Sequence, residues 1–166
     1  MIMGTLLQLD SSNSYVVSNA SIVYFENTNG VLTETTQVLP SLQNESYEEL
    51  YPMLVDIDND EDLDLFVGIM IQSGVRQTQM LLFENEGNNT AAEFIARHTN
   101  PLSHISVDSC SPPCGDAPIS LFRGSFIDID DDSDFDFATF ENGKLVFFIN
   151  TGNSTTPIFD GSFFVE

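Results

Sequence analysis

The sequence predicts an all-β fold built from three imperfect copies of one unit. Three short apolar segments each run into a turn that contains asparagine: SIVYFENTNG, MLLFENEGNN and LVFFINTGNS. Their matching asparagines, Asn27, Asn85 and Asn150, lie 58 and then 65 residues apart. Self-similarity of this kind is the signature of a repeat architecture, so each copy is expected to form one structural unit.

The second and third copies each contain four short segments with the composition of β-strands. They are PMLVDI, LDLFVGIM, QMLLFEN and AEFIARH in the second copy, and LFRGSFIDI, FDFATF, KLVFFIN and PIFDGSFF in the third. These segments are rich in β-branched and aromatic residues and are bounded by glycine and asparagine turn signals. The nearest candidate for a helix, Tyr47 to Leu54, is interrupted by Pro52. We therefore expect about four strands per unit.

The charge of the chain limits its partners. There are 26 acidic residues against 4 basic ones, a formal net charge of -22, while 42% of the residues are hydrophobic. That hydrophobic content argues against a disordered chain. A strongly negative surface repels nucleic acid and anionic lipid, and no apolar run is long enough to cross a membrane. We expect no nucleic-acid partner and no membrane insertion, and we expect cations to be attracted.

Twelve of the 26 acidic residues are concentrated in two runs in which every second residue is aspartate. The runs read DIDNDEDLDLF from Asp56 and DIDDDSDFDF from Asp128. One interpretation is a solvated acidic strand face, because alternate residues of a strand point the same way. However, five like charges within nine residues repel one another and oppose strand formation. The other interpretation is a loop that wraps its carboxylates around a hard cation such as Ca²⁺, which takes six to eight oxygen ligands.

An EF-hand is excluded by the same spacing. That motif needs a glutamate at position 12 of the loop and helices on both sides. Counted from the first aspartate of each run, position 12 is Val67 in one copy and Thr139 in the other. The flanking segments are also predicted strands, so the pattern is five alternate aspartates between two strands.

This pattern resembles the FG-GAP/VCBS repeat family, whose calcium-loop blades also occur in integrin α-subunit propellers. The resemblance rests on LVDIDNDEDLDLFVG followed by LLFENEG, and on FIDIDDDSDFDFATF followed by VFFINTG. It implies about three four-stranded antiparallel blades of a partial or open β-propeller. The implied units are a degenerate blade over residues 1–40, a second blade over 41–104 with a calcium loop at 56–64, and a third over 105–166 with a loop at 128–136.

The resemblance also implies two calcium sites and their ligands. In the family, the side chains at loop positions 1, 3, 5 and 9 and the backbone carbonyl at position 7 bind the ion. In this chain the side chains would be those of Asp56, Asp58, Asp60 and Asp64, and of Asp128, Asp130, Asp132 and Asp136, and the carbonyls those of Asp62 and Asp134.

The two loops depart from the family at position 6, where glycine is usual. This chain has Glu61 in one loop and Ser133 in the other. If the turn requires a positive φ there, a residue other than glycine adopts it at a cost of about 1 kcal/mol or more. In the first copy, Asp10 is followed by serines, so no strong site is expected there.

Other features indicate an extracellular protein. Sequons for N-glycosylation occur at Asn19, Asn44, Asn88 and Asn153. Cys110 and Cys114, in CSPPC, can close a small loop as a disulfide, which persists in an oxidising compartment. Free thiols are an alternative, and zinc bound by these cysteines with His98 and His104 is another, although their spacing matches no common zinc finger.

No catalytic constellation is evident in the sequence. There is no G-x-S-x-G elbow, and the loops account for most of the paired carboxylates. We expect a non-enzymatic, calcium-binding extracellular structural or adhesion module. Its expected partners are other copies of itself, which would form a head-to-tail filament, further blades of a longer chain, or a protein or glycan ligand. The alternative is an ancillary propeller fragment of a secreted carbohydrate-active enzyme or of a cell-surface receptor.

Overall fold

A computed structural model describes residues 8–9, 15–16, 22, 24–35, 39, 42, 47–72, 76–88, 90–103, 123–141 and 144–164. These residues form twelve strands and no α-helix, so the all-β prediction is confirmed. The described part of the chain contains no helix long and apolar enough to cross a membrane. The strands are β1 (Gln8–Leu9), β2 (Tyr15–Val16), β3 (Tyr24–Thr28), β4 (Val31–Thr35), β5 (Tyr47–Val55), β6 (Asp64–Gln72), β7 (Arg76–Asn85), β8 (Phe94–Arg97), β9 (Ser125–Ile127), β10 (Asp136–Glu141), β11 (Lys144–Phe148) and β12 (Ser162–Phe164).

The second and third copies each form one four-stranded antiparallel sheet. The strand orders are β5-β6-β7-β8 and β9-β10-β11-β12, so each sheet follows the order of the sequence. Both sheets have two free edge strands, and neither closes on itself. The segment from Tyr47 to Leu54 lies in β5, where Pro52 is tolerated because β5 is an edge strand.

The first copy does not form a four-stranded sheet among the described residues. Instead, β1 pairs with β2 and β3 pairs with β4, in two separate two-stranded sheets. Asn29 and Gly30 have φ values of 54° and 85°, so they form a tight two-residue hairpin turn that sends the chain straight back. In the later copies a longer loop follows the matching asparagine. Two four-stranded units are therefore observed among the described residues, and the predicted third is not seen there.

The central sheet, β5 to β8, is buried on both faces. Along β6, Leu65, Val67 and Ile69 point to one face, where they pack with Phe83 and with Leu39 from the first copy. This double burial explains why β6 is an almost unbroken apolar run instead of an alternating one.

Phenylalanine rings fill the space between the two four-stranded sheets. Phe66 of β6 lies 4.8 Å from Phe126 of β9, centroid to centroid, and Phe126 lies 5.1 Å from Phe137 of β10. Phe148 of β11 continues the row, with its ring 6.2 Å from that of Phe137. The aromatic residues of these strand segments are therefore packing residues between sheets.

The far face of the last sheet is apolar and partly exposed. Residues 136, 138 and 140 of β10 alternate with Phe137 and point away from the central sheet, and the ladder places Ile127 on the same side. Ile127 and Phe140 are each 50% exposed. The corresponding face of the central sheet is buried by β9 to β12, so within the described part of the chain the last sheet presents an open apolar face.

Candidate metal centre

Both acidic runs form the loop between the first two strands of a four-stranded sheet. Residues 56–63 join β5 to β6, and residues 128–135 join β9 to β10; none of them lies in a strand, and residues 57–62 and 129–134 form bends. Only the last aspartate of each run, Asp64 or Asp136, has entered a strand. The interpretation as an extended acidic strand face is therefore wrong, and the loop interpretation of the local structure is correct.

The first aspartate of each run organises its loop. In the first loop, Asp56 accepts hydrogen bonds from the backbone N–H groups of Asp60 and Glu61, both at 3.1 Å. In the second loop, Asp128 accepts from three backbone donors, those of Asp131, Asp132 and Ser133. A carboxylate that gathers successive amides curls the chain around itself, and this brings the other aspartates of the run to one side.

The curled loops require left-handed backbone conformations at residues that are not glycine. Asn59 and Glu61 have φ values of 61° and 74°, and Asp131 and Ser133 have values of 64° and 75°. Asparagine and aspartate tolerate this region better than other residues, so the strain is concentrated at Glu61 and Ser133. The sixth position of each loop therefore needs the positive φ that a glycine would supply without cost.

Replacing Ser133 by glycine should stabilise the metal-free protein by up to about 1 kcal/mol, because glycine adopts a positive φ without a steric penalty. Glu61→Gly should act in the same direction and also removes a carboxylate from an acidic loop. Urea unfolding in EGTA measures both effects. Asp131→Gly is the matched control, since aspartate already tolerates its φ of 64° and the gain should be smaller. Destabilisation by Ser133→Gly with the fold retained would contradict the strain argument.

The ninth-position aspartates are fully buried and join each loop to its sheet. Asp64 is 1% exposed and accepts from the backbone N–H of Ile57 at 3.2 Å and from that of Asn85 at 2.9 Å. Asp136 is 0% exposed and accepts from Ile129 at 2.8 Å and from Asn150 at 2.7 Å. Each carboxylate therefore ties the loop, the second strand and the end of the third strand together.

Each loop gathers carboxylate oxygens, but the two sets differ. One oxygen from each of Asp56, Asp58 and Asp60 lies within 4.8 Å of the others in the first loop. In the second loop the corresponding set consists of Asp128, Asp130 and Asp136. Asp64 and Asp132, which the family pattern also counts as ligands, do not belong to these compact groups.

Both loops also contain buried carboxylate oxygens without a hydrogen-bond donor. These are one oxygen each of Asp58, Asp62 and Asp134, and the residues Asp62 and Asp134 are only 7% and 6% exposed. In the family pattern, the residue at position 7 binds the ion through its backbone carbonyl. The sequence therefore did not predict that the side chains of Asp62 and Asp134 are buried. A buried, unpartnered carboxylate oxygen is costly, and a bound cation would remove that cost.

Burial and mutual repulsion raise the pKa of several loop carboxyls. Burial raises the pKa of Asp64 to about 6, although the N–H groups of Asn85 and Ile57 favour its ionised form and oppose the shift. The pKa values of Asp62 and Asp134 are also raised, mainly by burial and then by the neighbouring aspartate at position 5. The same causes raise the pKa values of Asp58 and Asp130. At the buried residues Asp62, Asp64 and Asp134, these are negative charges held where water cannot screen them well.

Asn85 and Asn150 connect each loop to the next turn of its sheet, a role that sequence analysis did not assign to them. The side-chain oxygen of Asn85 accepts from the N–H groups of Gly87 and Glu93, and Asn150 repeats these bonds with Gly152 and Ile158. The Asn85 side chain also acts to lower the pKa of Asp62 and so opposes the effect of burial there. The sequence signal for this role was that both asparagines occupy the same position in their repeats.

The other predicted sites fall into two groups. The sequon residues Asn88 and Asn153 are exposed, and each accepts hydrogen bonds from the hydroxyl and the backbone N–H of the threonine two residues later. His98 is exposed in the turn after β8. The remaining predicted residues lie outside the described part of the chain: Asn19, Asn44, His104, Cys110 and Cys114.

Fold and site together define a class: an all-β chain of repeated four-stranded sheets, each with an acidic loop between its first two strands. Comparison of the chain with protein-family models, with curated proteins and with solved structures gives no match. The resemblance to FG-GAP/VCBS repeats therefore stays a prediction, which rests on the loop residues and their spacing.

Proposed function

We propose that the chain is a calcium-binding structural module with one site in loop 56–64 and one in loop 128–136. The observation that carries the proposal is that buried, unpartnered carboxylate oxygens of Asp58, Asp62 and Asp134 occur in both loops, beside the clustered carboxylates. Two copies of the repeat, which differ in many other residues, share this arrangement. A divalent cation would satisfy these oxygens and offset their repulsion.

Calcium fits this donor set better than other common metals. All the donors in the two clusters are carboxylate oxygens, which hard cations prefer, and the loops are irregular and rich in oxygen. Magnesium demands a small octahedral site and zinc favours nitrogen and sulfur ligands. His98, the one His or Cys residue in the described part of the chain, belongs to neither cluster.

Calcium would act here by holding strands together. Each loop joins two strands directly, and through Asp64 or Asp136 it also reaches the end of the third strand. Binding would therefore rigidify most of a sheet without any chemistry. The sequons at Asn88 and Asn153 favour a secreted protein. Calcium sites of extracellular modules are often weak, because extracellular calcium is concentrated enough to fill them. Both points favour a secreted, non-enzymatic module of the structural or adhesion type.

The melting temperature of the protein should be higher in calcium than in EGTA. At a calcium concentration about one hundred times the dissociation constant, each site adds about 2.7 kcal/mol to the free energy of unfolding. Calorimetric titration should find two sites per chain. The paired variant Asp58→Asn and Asp130→Asn should lose both effects, whereas Asp160→Asn, an exposed acidic residue outside the loops, should keep them. Equal melting temperatures in EGTA and in millimolar calcium would overturn the proposal.

The open apolar face of β9 to β12 favours self-assembly as a second property of the module. Ile127 and Phe140 are each 50% exposed on the face that, in the central sheet, is buried by a following sheet. An exposed apolar sheet face is a typical contact surface. We propose that another copy of the chain covers this face, and that repetition of the contact would build a head-to-tail assembly.

Sedimentation velocity should therefore detect species larger than a monomer, and Phe140→Asp should shift them to the monomer by placing a charge in the contact. Ile158→Asp, a matched change at an exposed residue of the β11–β12 loop, should leave the assembly intact. If the unmodified protein is a stable monomer at high concentration, a further sheet of a longer chain becomes the better explanation for the open face.

A further inference from the structure

The first acidic loop has an ion-pair cluster beside it that the second loop lacks. Glu84 of β7 follows Phe83, which pairs with Leu65, so the antiparallel ladder places Glu84 opposite Asp64. Side chains directly opposite on neighbouring strands lie on one face and within reach of each other. The Glu84 carboxylate accordingly contributes to raising the pKa values of Asp58 and Asp62, after burial and Asp60.

Arg97 of β8 holds this carboxylate. Its Nε lies 2.6 Å from Oε2 of Glu84, and its Nη2 lies 2.6 Å from Oε1 of Glu86. The guanidinium on β8 therefore bridges two carboxylates at the end of the neighbouring strand β7, with the side chain of Glu84 about two-thirds covered. The hydrogen bond and charge of Arg97 lower the pKa of Glu84, so this carboxylate stays ionised while it is paired.

The third copy has no counterpart to this cluster. If the copies are aligned on their matching asparagines, Asn85 and Asn150, the positions of Glu84 and Glu86 are taken by Ile149 and Thr151. The strand that corresponds to β8 is β12, with the sequence SFF and no basic residue. The two loops thus share their aspartates but differ in what surrounds them.

We propose that Glu84 and Arg97 set the calcium affinity of loop 56–64 independently of loop 128–136. This inference rests on the proposed calcium binding. Arg97 engages Glu84 and places a positive charge next to the first loop, so the affinity of that loop is lower than its carboxylates alone would give. When Arg97 is removed, Glu84 adds its full charge to the field at the loop and becomes available to the cation.

The electrostatic size of this effect follows from Coulomb's law. β6 and β8 are two strands apart, about 10 Å at the usual strand spacing. One unit charge acting on a divalent ion at such a distance in a water-like dielectric corresponds to roughly a three- to tenfold change in affinity. Salt screens the interaction, so the effect should shrink as the ionic strength rises. Arg97→Gln is therefore expected to raise the affinity of the first loop three- to tenfold at low salt, and Glu84→Gln to lower it.

The test uses the full chain carrying Asp130→Asn, which leaves the first loop as the site that calcium fills. Calcium is titrated by calorimetry into this background and into the same background with Arg97→Gln, Glu84→Gln or both. We expect Glu84→Gln to reduce affinity more in the absence of Arg97 than in its presence, because Arg97 then no longer holds the carboxylate. A double-mutant cycle measures this coupling directly.

The reverse background, Asp58→Asn, supplies the matched control, since Arg97→Gln should leave calcium binding by the second loop unchanged there. A purely structural Arg97 would lower the melting temperature in EGTA without raising calcium affinity, so unchanged or weaker binding by Arg97→Gln would overturn the inference. Strictly additive effects of the two substitutions would also overturn it. Loss of calcium binding in both backgrounds would instead overturn the proposed function together with this inference.

Discussion

Replacing Asp64 by alanine is expected to destabilise the metal-free protein by roughly 2–6 kcal/mol, because two buried backbone N–H groups lose their acceptor and each costs about 1–3 kcal/mol. Those donors belong to Ile57 and Asn85, which lie 7 and 21 residues away in the sequence. Their loss separates the first loop from β6 and from the end of β7. Asp136→Ala should do the same in the last sheet, where Ile129 and Asn150 are the donors.

Urea unfolding in EGTA measures this loss without any contribution from metal. Asp60→Ala is the control: Asp60 belongs to the same loop and is exposed, and it accepts from the backbone N–H of Asp62. It should cost much less, because it loses one part-buried hydrogen bond instead of two buried ones. If Asp64→Ala and Asp60→Ala destabilise the protein equally, the negative charge of the loop matters for stability and the buried hydrogen bonds of Asp64 do not.

Acid should stabilise the metal-free protein and weaken the calcium-bound one. The pKa of Asp64 is about 6 in the folded state, against about 3.9 for an unperturbed aspartate. A carboxyl whose folded pKa is raised binds its proton more tightly when folded, so stability increases as the pH falls from 7 through 6 and levels off below about 4. The contribution of this one group is roughly 3 kcal/mol at most, since one pK unit corresponds to about 1.4 kcal/mol.

The other loop aspartates with raised pKa values, Asp58, Asp62, Asp130 and Asp134, act in the same direction. Calcium reverses the trend because protons and the cation compete for the same oxygens. Melting temperatures between pH 4.5 and 7.5 should therefore fall with pH in EGTA and rise with pH in calcium. Carboxyl NMR signals identify the group responsible. An Asp64 signal that titrates near its ordinary value would contradict the assignment.

The strands of the second and third copies could be predicted from the sequence because their signals are local. Each of the eight predicted segments contains or overlaps one of β5 to β12. The acidic loops were equally predictable, since five aspartates in nine residues cannot form a regular strand face without a large repulsion. The resemblance to the repeat family marked Glu61 and Ser133 as the places where a positive φ could be required, and both residues have one.

The fold of the first copy could not be predicted from its sequence in the same way. Its segment SIVYFENTNG looks like the segments that end at Asn85 and Asn150, yet the described chain turns back at once through Asn29 and Gly30. A two-residue hairpin and an eight-residue loop can follow similar strands, and the residues after the asparagine decide between them. The apparent copy therefore yields a separate two-stranded sheet.

The sequence alone determined what depends on neighbours a few residues apart: the β-strands of the second and third copies and the two acidic loops. The tertiary structure decided which oxygens are buried, because that depends on pairing across the sheet. Asp64 is held by Asn85, and Arg97 reaches Glu84 on the adjacent strand. Those contacts join residues 21 and 13 positions apart, and no spacing within either loop encodes them.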